Sequence, residues 1–141
     1  MKILEVIPLF IDGGAERFVV DIATEFSDLG HQVQVCALYA EDEKGMKYFP
    51  DWDQRVERSS LNKKLGADLS VLFRLKKLIR EFKPDVIHTH LSTVNYVALL
   101  QFLSFKKIPV VHTVHNDAAA EVIGSKEKTI REWLLKFKRI H

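Results

Sequence analysis

The chain contains a single cysteine, Cys36, so no disulfide can form within it and a small disulfide-stapled scaffold is excluded. Cys36 lies in the apolar run VQVCALY, where a reduced thiol packs as a small hydrophobe, and a reducing, cytoplasmic setting is expected. An excess of one charge is lacking as well: 21 Lys and Arg stand against 19 Asp and Glu, a formal net charge of +2. No nucleic-acid partner is expected on that balance, because such binding neutralises many phosphates from one basic face. The longest candidate membrane span, Val94 to Phe105, is too short for a bilayer and carries Asn95 and Gln101. Lys2 ahead of apolar residues has the start of a secretory signal, but Glu5 interrupts the run and no small-residue cleavage site follows. The glycine fingerprint G-x-G-x-x-G is absent, and Tyr39 and Ala40, not an acid, end the second apolar run. Both absences argue against dinucleotide binding. Asp12 stands nearly alone where a phosphoacceptor receiver would need clustered acids.

What is present is a content of 47% hydrophobic and 28% charged residues, the balance of one globular domain with its own core. ILEVIPLF, from Ile3 to Phe10, reads as a parallel strand buried on both faces. After Gly13 and Gly14, a helix starting at Ala15 repeats Phe18, Val19, Ile22, Ala23 and Phe26 at helical spacing, and Gly30 closes it. Val33 to Tyr39 is a second strand, followed by a polar loop pinned by Phe49 and Trp52, and Arg55 to Leu61 a short edge strand. Asp68 caps a helix whose apolar side is Leu69, Leu72, Phe73, Leu75, Leu78, Ile79 and Phe82, with Pro84 ending it. Asp85 to Leu91 is strand four, Thr93 to Phe105 an apolar helix, and Pro109 to Val114 strand five. Ser125 opens a last helix with Ile130, Trp133, Leu134 and Phe137 on one stripe.

Strands alternating with helices at this rhythm predict an α/β fold: a doubly wound, mostly parallel, Rossmann-like sheet in the order 3-2-1-4-5, with helices on both faces. Ligands of such sheets bind at the carboxyl ends of the strands near the point where the order reverses. The positions to inspect are therefore those after Phe10, Ile87 and Val111.

Three polar clusters stand there: DGGAER (12–17), HTHLST (88–93) and HTVHND (112–117). Glycine lets main-chain amides approach an anion, and the helix that follows directs its positive end at the same spot. A tight turn is the plainer use of Gly13 and Gly14. Glu16 suits a first helical turn; Arg17 opposes the dipole and can be held for a ligand or simply be solvated. His88 and His90 alternate onto one strand face, with His112 and His115 near them. No cysteine and no suitably spaced carboxylate completes a tetrahedral set, so no metal site is expected. His88 and His112 suit hydrogen-bonded core positions. His90 and His115, nearer the strand ends, are where water and ligand are expected to reach, and an imidazole there can handle sugar hydroxyls or a proton in transit.

GGAER after the first strand, PDVIHTH at strand four and VVHTVHN at strand five together resemble the N-terminal half of a retaining family-four glycosyltransferase of the GT-B fold, in order along the whole chain. The resemblance implies two Rossmann-like domains facing a cleft, residues 1–141 being the N-terminal, acceptor-binding one, truncated before the C-terminal donor-binding domain. It implies that His115 contacts the sugar near the reacting centre as the catalytic position, and that Gly13 and Gly14 lie against the donor diphosphate or the transferred sugar. Glu16, Arg17, His90 and Asn116 would line or shape the acceptor side. The partners implied are a nucleotide-sugar donor, a saccharide or lipid-linked acceptor and the missing second domain; no cofactor or essential metal is implied. The basic last helix, with six cations from Lys126 to Arg139 against Glu127 and Glu132, fits a peripheral contact with the inner membrane face. Packing of its stripe on the sheet, or dimerisation through a truncated face, are the other uses. A sugar-nucleotide epimerase of the same architecture and a non-catalytic ligand-binding α/β module are the alternative readings.

Overall fold

A computed structural model describes residues 1–11, 13–40, 52–66, 68–103 and 108–115. Five strands, β1 (Lys2–Ile7), β2 (Gln32–Ala37), β3 (Glu57–Ser60), β4 (Val86–His90) and β5 (Val110–Thr113), form one sheet in the order β3-β2-β1-β4-β5, and every pairing is parallel. The doubly wound order expected from the strand and helix rhythm is the one observed. Among the described residues, helix α1 (Gly14–Asp28) lies between β1 and β2, α2 (Ser70–Phe82) between β3 and β4, and α3 (Val94–Phe102) between β4 and β5, with a 3-10 turn (Leu91–Thr93) between β4 and α3.

Central β1 is buried on both faces because helices cover both. Ile3 and Ile7 pack with Val19 and Ala23 of α1 and with Val33, Val35 and Ala37 of β2. Leu4 and Val6 point the other way, into a core with Val71, Leu75 and Phe82 of α2, Val97 and Leu100 of α3, and Ile87 and Val110. Period-two alternation thus splits the sheet into two cores.

The helix bounds differ from the sequence expectation at their ends, where caps rather than periodicity decide. α1 begins at Gly14, with Gly13 as its N-cap, one residue before Ala15. Asp68 accepts a hydrogen bond from the Ser70 amide at 3.0 Å, a capping role, although α2 starts only at Ser70. Lys83, at φ 55°, leaves the helix in a left-handed conformation just ahead of Pro84. Three residues expected on buried stripes are corrected: Leu69 and Phe73 are more than 70% exposed, and Phe18 is 39% exposed and turned away from the α1 core. Leu69 precedes α2 as its N-cap, and Phe73 and Phe18 fall outside the stripe of roughly 100° that a helix turns to the core. Gln101, a polar break in an apolar stretch, ties α3 to the strand that follows: its Nε2 donates to the Ile108 carbonyl at 2.7 Å and its Oε1 accepts from the Ile108 amide at 3.3 Å. Trp52 packs edge-on against Phe10, with ring centroids 5.5 Å apart. Phe49, Phe105 and the helix expected from Ser125 lie outside the described residues.

Candidate functional site

The site is a polar band across one face of the sheet. Register places Glu5 of β1 beside His88 of β4, and His90 beside Thr113 of β5. Alternation turns Glu5, His88, His90 and Thr113 to the side that carries α1, whereas the intervening Val6, Ile87 and Val110 belong to the opposite core. The α1 face is therefore apolar at Ile3 and Ile7 of β1 and at Val33, Val35 and Ala37 of β2, and polar along the line from Glu5 through His88 and His90 to Thr113.

The carboxylate of Glu5 is the centre of this band and is fully buried. One oxygen, Oε2, lies 2.7 Å from His90 Nε2 and 3.0 Å from His88 Nδ1; the other, Oε1, lies 3.2 Å from the same His88 nitrogen. His88 Nε2 meets the Thr113 hydroxyl at 2.7 Å, and His90 Nδ1 meets His115 Nε2 at 2.9 Å. The Phe18 ring, one turn into α1, stands edge-on to His115 at 5.3 Å and to His90 at 6.0 Å. Thr93 closes the other side: its hydroxyl accepts from the His90 amide at 3.1 Å and lies 2.9 Å from the Val6 carbonyl. Leu91, at φ 54°, makes the turn that brings Thr93 back.

Burial by itself would push the Glu5 carboxyl up, but hydrogen bonds from His88 and His90, with their charge, outweigh it and hold Glu5 below the usual carboxylate range. His90 is held below the ordinary histidine value: burial disfavours its cation more than Glu5 favours it. The two directions agree on one proton arrangement at neutral pH, an ionised Glu5 beside a neutral His90.

At the rim, α1 opens with two glycines in different surroundings. Gly13 has φ −142° and ψ 166°, extended backbone that any residue adopts. Neither it nor Gly14 is among the positive-φ glycines, which are Gly30 and Gly66. A Cβ on Gly13 would collide with the Glu16 carboxylate, which folds back over it, whereas a Cβ on Gly14 would meet nothing within 4 Å. Glu16 is buried and its pKa is raised by that burial, in part offset by its own backbone amide. Arg17 is exposed on the same turn.

The structure brings His90, His115 and the first turns of α1 to one edge, the carboxyl ends of β1, β4 and β5. It corrects the accessibility expected of His90, which is 0% exposed: Phe18, Thr93 and the neighbouring histidines enclose it, and only half-buried His115 continues outward. His88 is a buried, hydrogen-bonded residue, as its place inside the strand implies. His112 points to the opposite face, where its Nδ1 lies 3.0 Å from the Thr89 carbonyl. Asn116 and Asp12 lie outside the described residues.

The carboxylate that spacing alone did not supply to the histidines is Glu5, more than eighty residues away in sequence. Glu5, His88 and His90 form the one set of described residues whose ligand atoms all come within 4.8 Å of one another. Two of its separations, 2.7 and 3.0 Å, are direct hydrogen bonds, shorter than the roughly 3.3 Å that ligands about 2.0–2.1 Å from a zinc ion keep from each other. Each contact is accounted for by proton sharing, and no metal is assigned. Among the described residues no helix is long and apolar enough to cross a membrane.

Residues 12–141 match the family model described as Glycosyltransferase Family 4. Among curated proteins no chain matches this one.

Proposed function

Since the chain belongs to glycosyltransferase family 4, we propose that it is the Rossmann-like, acceptor-side domain of a GT-B enzyme that moves a sugar from a nucleotide-diphosphate donor to a saccharide or lipid-linked acceptor, with retention of anomeric configuration. The observation that carries the reading is the meeting of His115 and the glycine-led end of α1 at one sheet edge, through Phe18. Gly14 adds to it. Its backbone does not require glycine and its missing side chain leaves space that no described residue uses, which is what close approach of a ligand to the main chain demands. The amides of that first turn and the helix dipole favour the negative diphosphate.

In the reaction the bond from the anomeric carbon to the phosphate oxygen breaks, and the diphosphate leaves with the electron pair. The acceptor hydroxyl attacks the same face, and its proton passes to the departing phosphate oxygen. Charge separation makes stabilisation of the leaving group the main catalytic task. Gly13 and Gly14 would complete a cage whose cations come mostly from the donor-binding domain, which closes over the cleft. His115 would hold a hydroxyl of the transferred sugar, with Glu16, Arg17 and Asn116 shaping the acceptor side. No essential metal enters this scheme, and a cytoplasmic site with peripheral membrane contact would suit a lipid-linked acceptor.

The test is incubation of a protein carrying both halves with a panel of nucleotide sugars and acceptors, followed by product analysis. Transfer with the donor's anomeric configuration kept supports the reading. Epimerised donor without transfer would assign the epimerase reaction instead, and turnover unaffected by His115→Ala would remove His115 from the site.

A further inference from the structure

A glutamate buried in the middle strand of a sheet is unexplained by packing, since Leu4, Val6 and Ile7 around it already make the core. Its hydrogen bonds explain it once the protons are followed. An ionised carboxylate has only acceptors. The hydrogens on the two bonds to Glu5 must then sit on His90 Nε2, at 2.7 Å, and on His88 Nδ1, at 3.0 Å. With one ring nitrogen of a neutral His90 carrying the hydrogen, the other, Nδ1, carries the lone pair. The 2.9 Å contact from His90 Nδ1 to His115 Nε2 therefore needs its hydrogen on His115.

We propose that Glu5 is a positioning residue which, acting through His90, holds His115 in the tautomer with hydrogen on Nε2 and the lone pair on Nδ1. On the transferase reading, a sugar hydroxyl that reaches Nδ1 would then donate its hydrogen to that nitrogen. The functional half of this assignment rests on the transferase reading; the tautomer does not. The directions in which burial and hydrogen bonding move Glu5 and His90 agree with it. So does the enclosure of the relay's inner half, since Glu5 and His90 are fully buried. A wrong tautomer leaves geometry intact and still removes the hydrogen bond on the far side of the ring.

The experiment is nitrogen-15 NMR of the imidazoles in the 141-residue chain, with each histidine assigned by substitution, in wild type and in two variants. Wild type is expected to show His90 and His115 each as a single tautomer protonated at Nε2, and His88 with hydrogen on Nδ1. Glu5→Leu, of similar bulk, removes the acceptor, and His90→Phe removes the link while leaving Glu5 paired to His88. In either variant that folds, His115 is expected to become a tautomer mixture. Hydrogen on His115 Nδ1 in wild type overturns the proposal, as does a His115 tautomer unmoved in the variants. In a protein carrying both halves, Glu5→Leu is expected to lower kcat about 10–100-fold while KM for donor and acceptor stays within about threefold. A change in KM with kcat intact overturns the positioning role. If the spectra follow the assignment but no nucleotide sugar supports transfer, the relay stands and the transferase reading falls. If transfer occurs but wild-type His115 carries its hydrogen on Nδ1, the relay falls alone.

Discussion

His90 Nδ1 lies 2.9 Å from His115 Nε2, and that single bond joins a side chain with no exposure to one that stands at the sheet's rim. Through it the interior of β4 and the end of β5 act on one another, and a substitution at either can be read at the other.

His115→Ala removes the outer ring of this pair at a half-buried position, so the chain should stay folded, with an unchanged far-ultraviolet dichroism spectrum. If His115 holds a hydroxyl of the transferred sugar, as proposed, its loss is expected to lower kcat by about 10²-fold. Steady-state rates beside a thermal melt check both halves of the statement.

Gly14 separates stability from activity. It is the first residue of α1 and a Cβ there meets nothing within 4 Å. Gly14→Ala should therefore stabilise the fold by about 0.5–1 kcal/mol, through the entropy of the unfolded chain. The same methyl stands where diphosphate or sugar would approach, so transfer should fall while the urea midpoint rises. A variant more stable and fully active would assign Gly14 no ligand.

Phe18 is 39% exposed and stacks edge-on to His115 at the rim and to the buried His90. Phe18→Ala is expected to cost about 0.5–1.5 kcal/mol, the scale of an aromatic pair, well short of the 3–5 kcal/mol typical of a buried phenylalanine. The His115 ring, freed on one side, should broaden in NMR spectra. Chemical denaturation and those line widths measure the two effects.

Acid should destabilise the fold from below neutrality. Both His90 and Glu5 have folded pKa values below their ordinary 6.5 and 4.5, so in each case the unfolded chain binds the proton more readily. Stability from His90 is complete above about pH 6.5 and is lost as pH falls through its lower folded value; that from Glu5 follows below 4.5. Each group contributes a slope of at most about 1.4 kcal/mol per pH unit. Urea titrations at pH 7.5, 6 and 5 should show the decline, and His90→Phe should flatten its first part. A flat profile from pH 7.5 to 5 would contradict the buried pair.

Cys36 should be unreactive in the native chain. It is fully buried in β2, and burial pushes its thiol up to about 12. Alkylation at pH 8 is expected to track unfolding, with labelling by iodoacetamide only in denaturant.

Much of the architecture was legible in the residues. ILEVIPLF, VQVCALY and DVIHTHL announce buried parallel strands because two covered faces leave little room for polar side chains. The order of the sheet followed from right-handed crossovers, and the rim followed from the order. Glu5 shows what was not legible. In sequence it is one charge interrupting an apolar run; in the fold it is the acceptor on which two histidines converge. The signal was the charge in a strand otherwise buried, but its partners lie more than eighty residues away.

Local pattern by itself determined the strands, their order and the sheet edge where the glycine and histidine segments meet, because hydrophobic period and chain handedness act over short stretches. Tertiary packing alone decided that His90 is sealed, that Phe18 covers the histidines instead of the core, and that Glu5 is joined to His115 by two hydrogen bonds. Register between strands made those choices. Hydrogen-bond partners and burial depend on which distant residues a sheet brings within 3 Å, and no spacing along one chain records that.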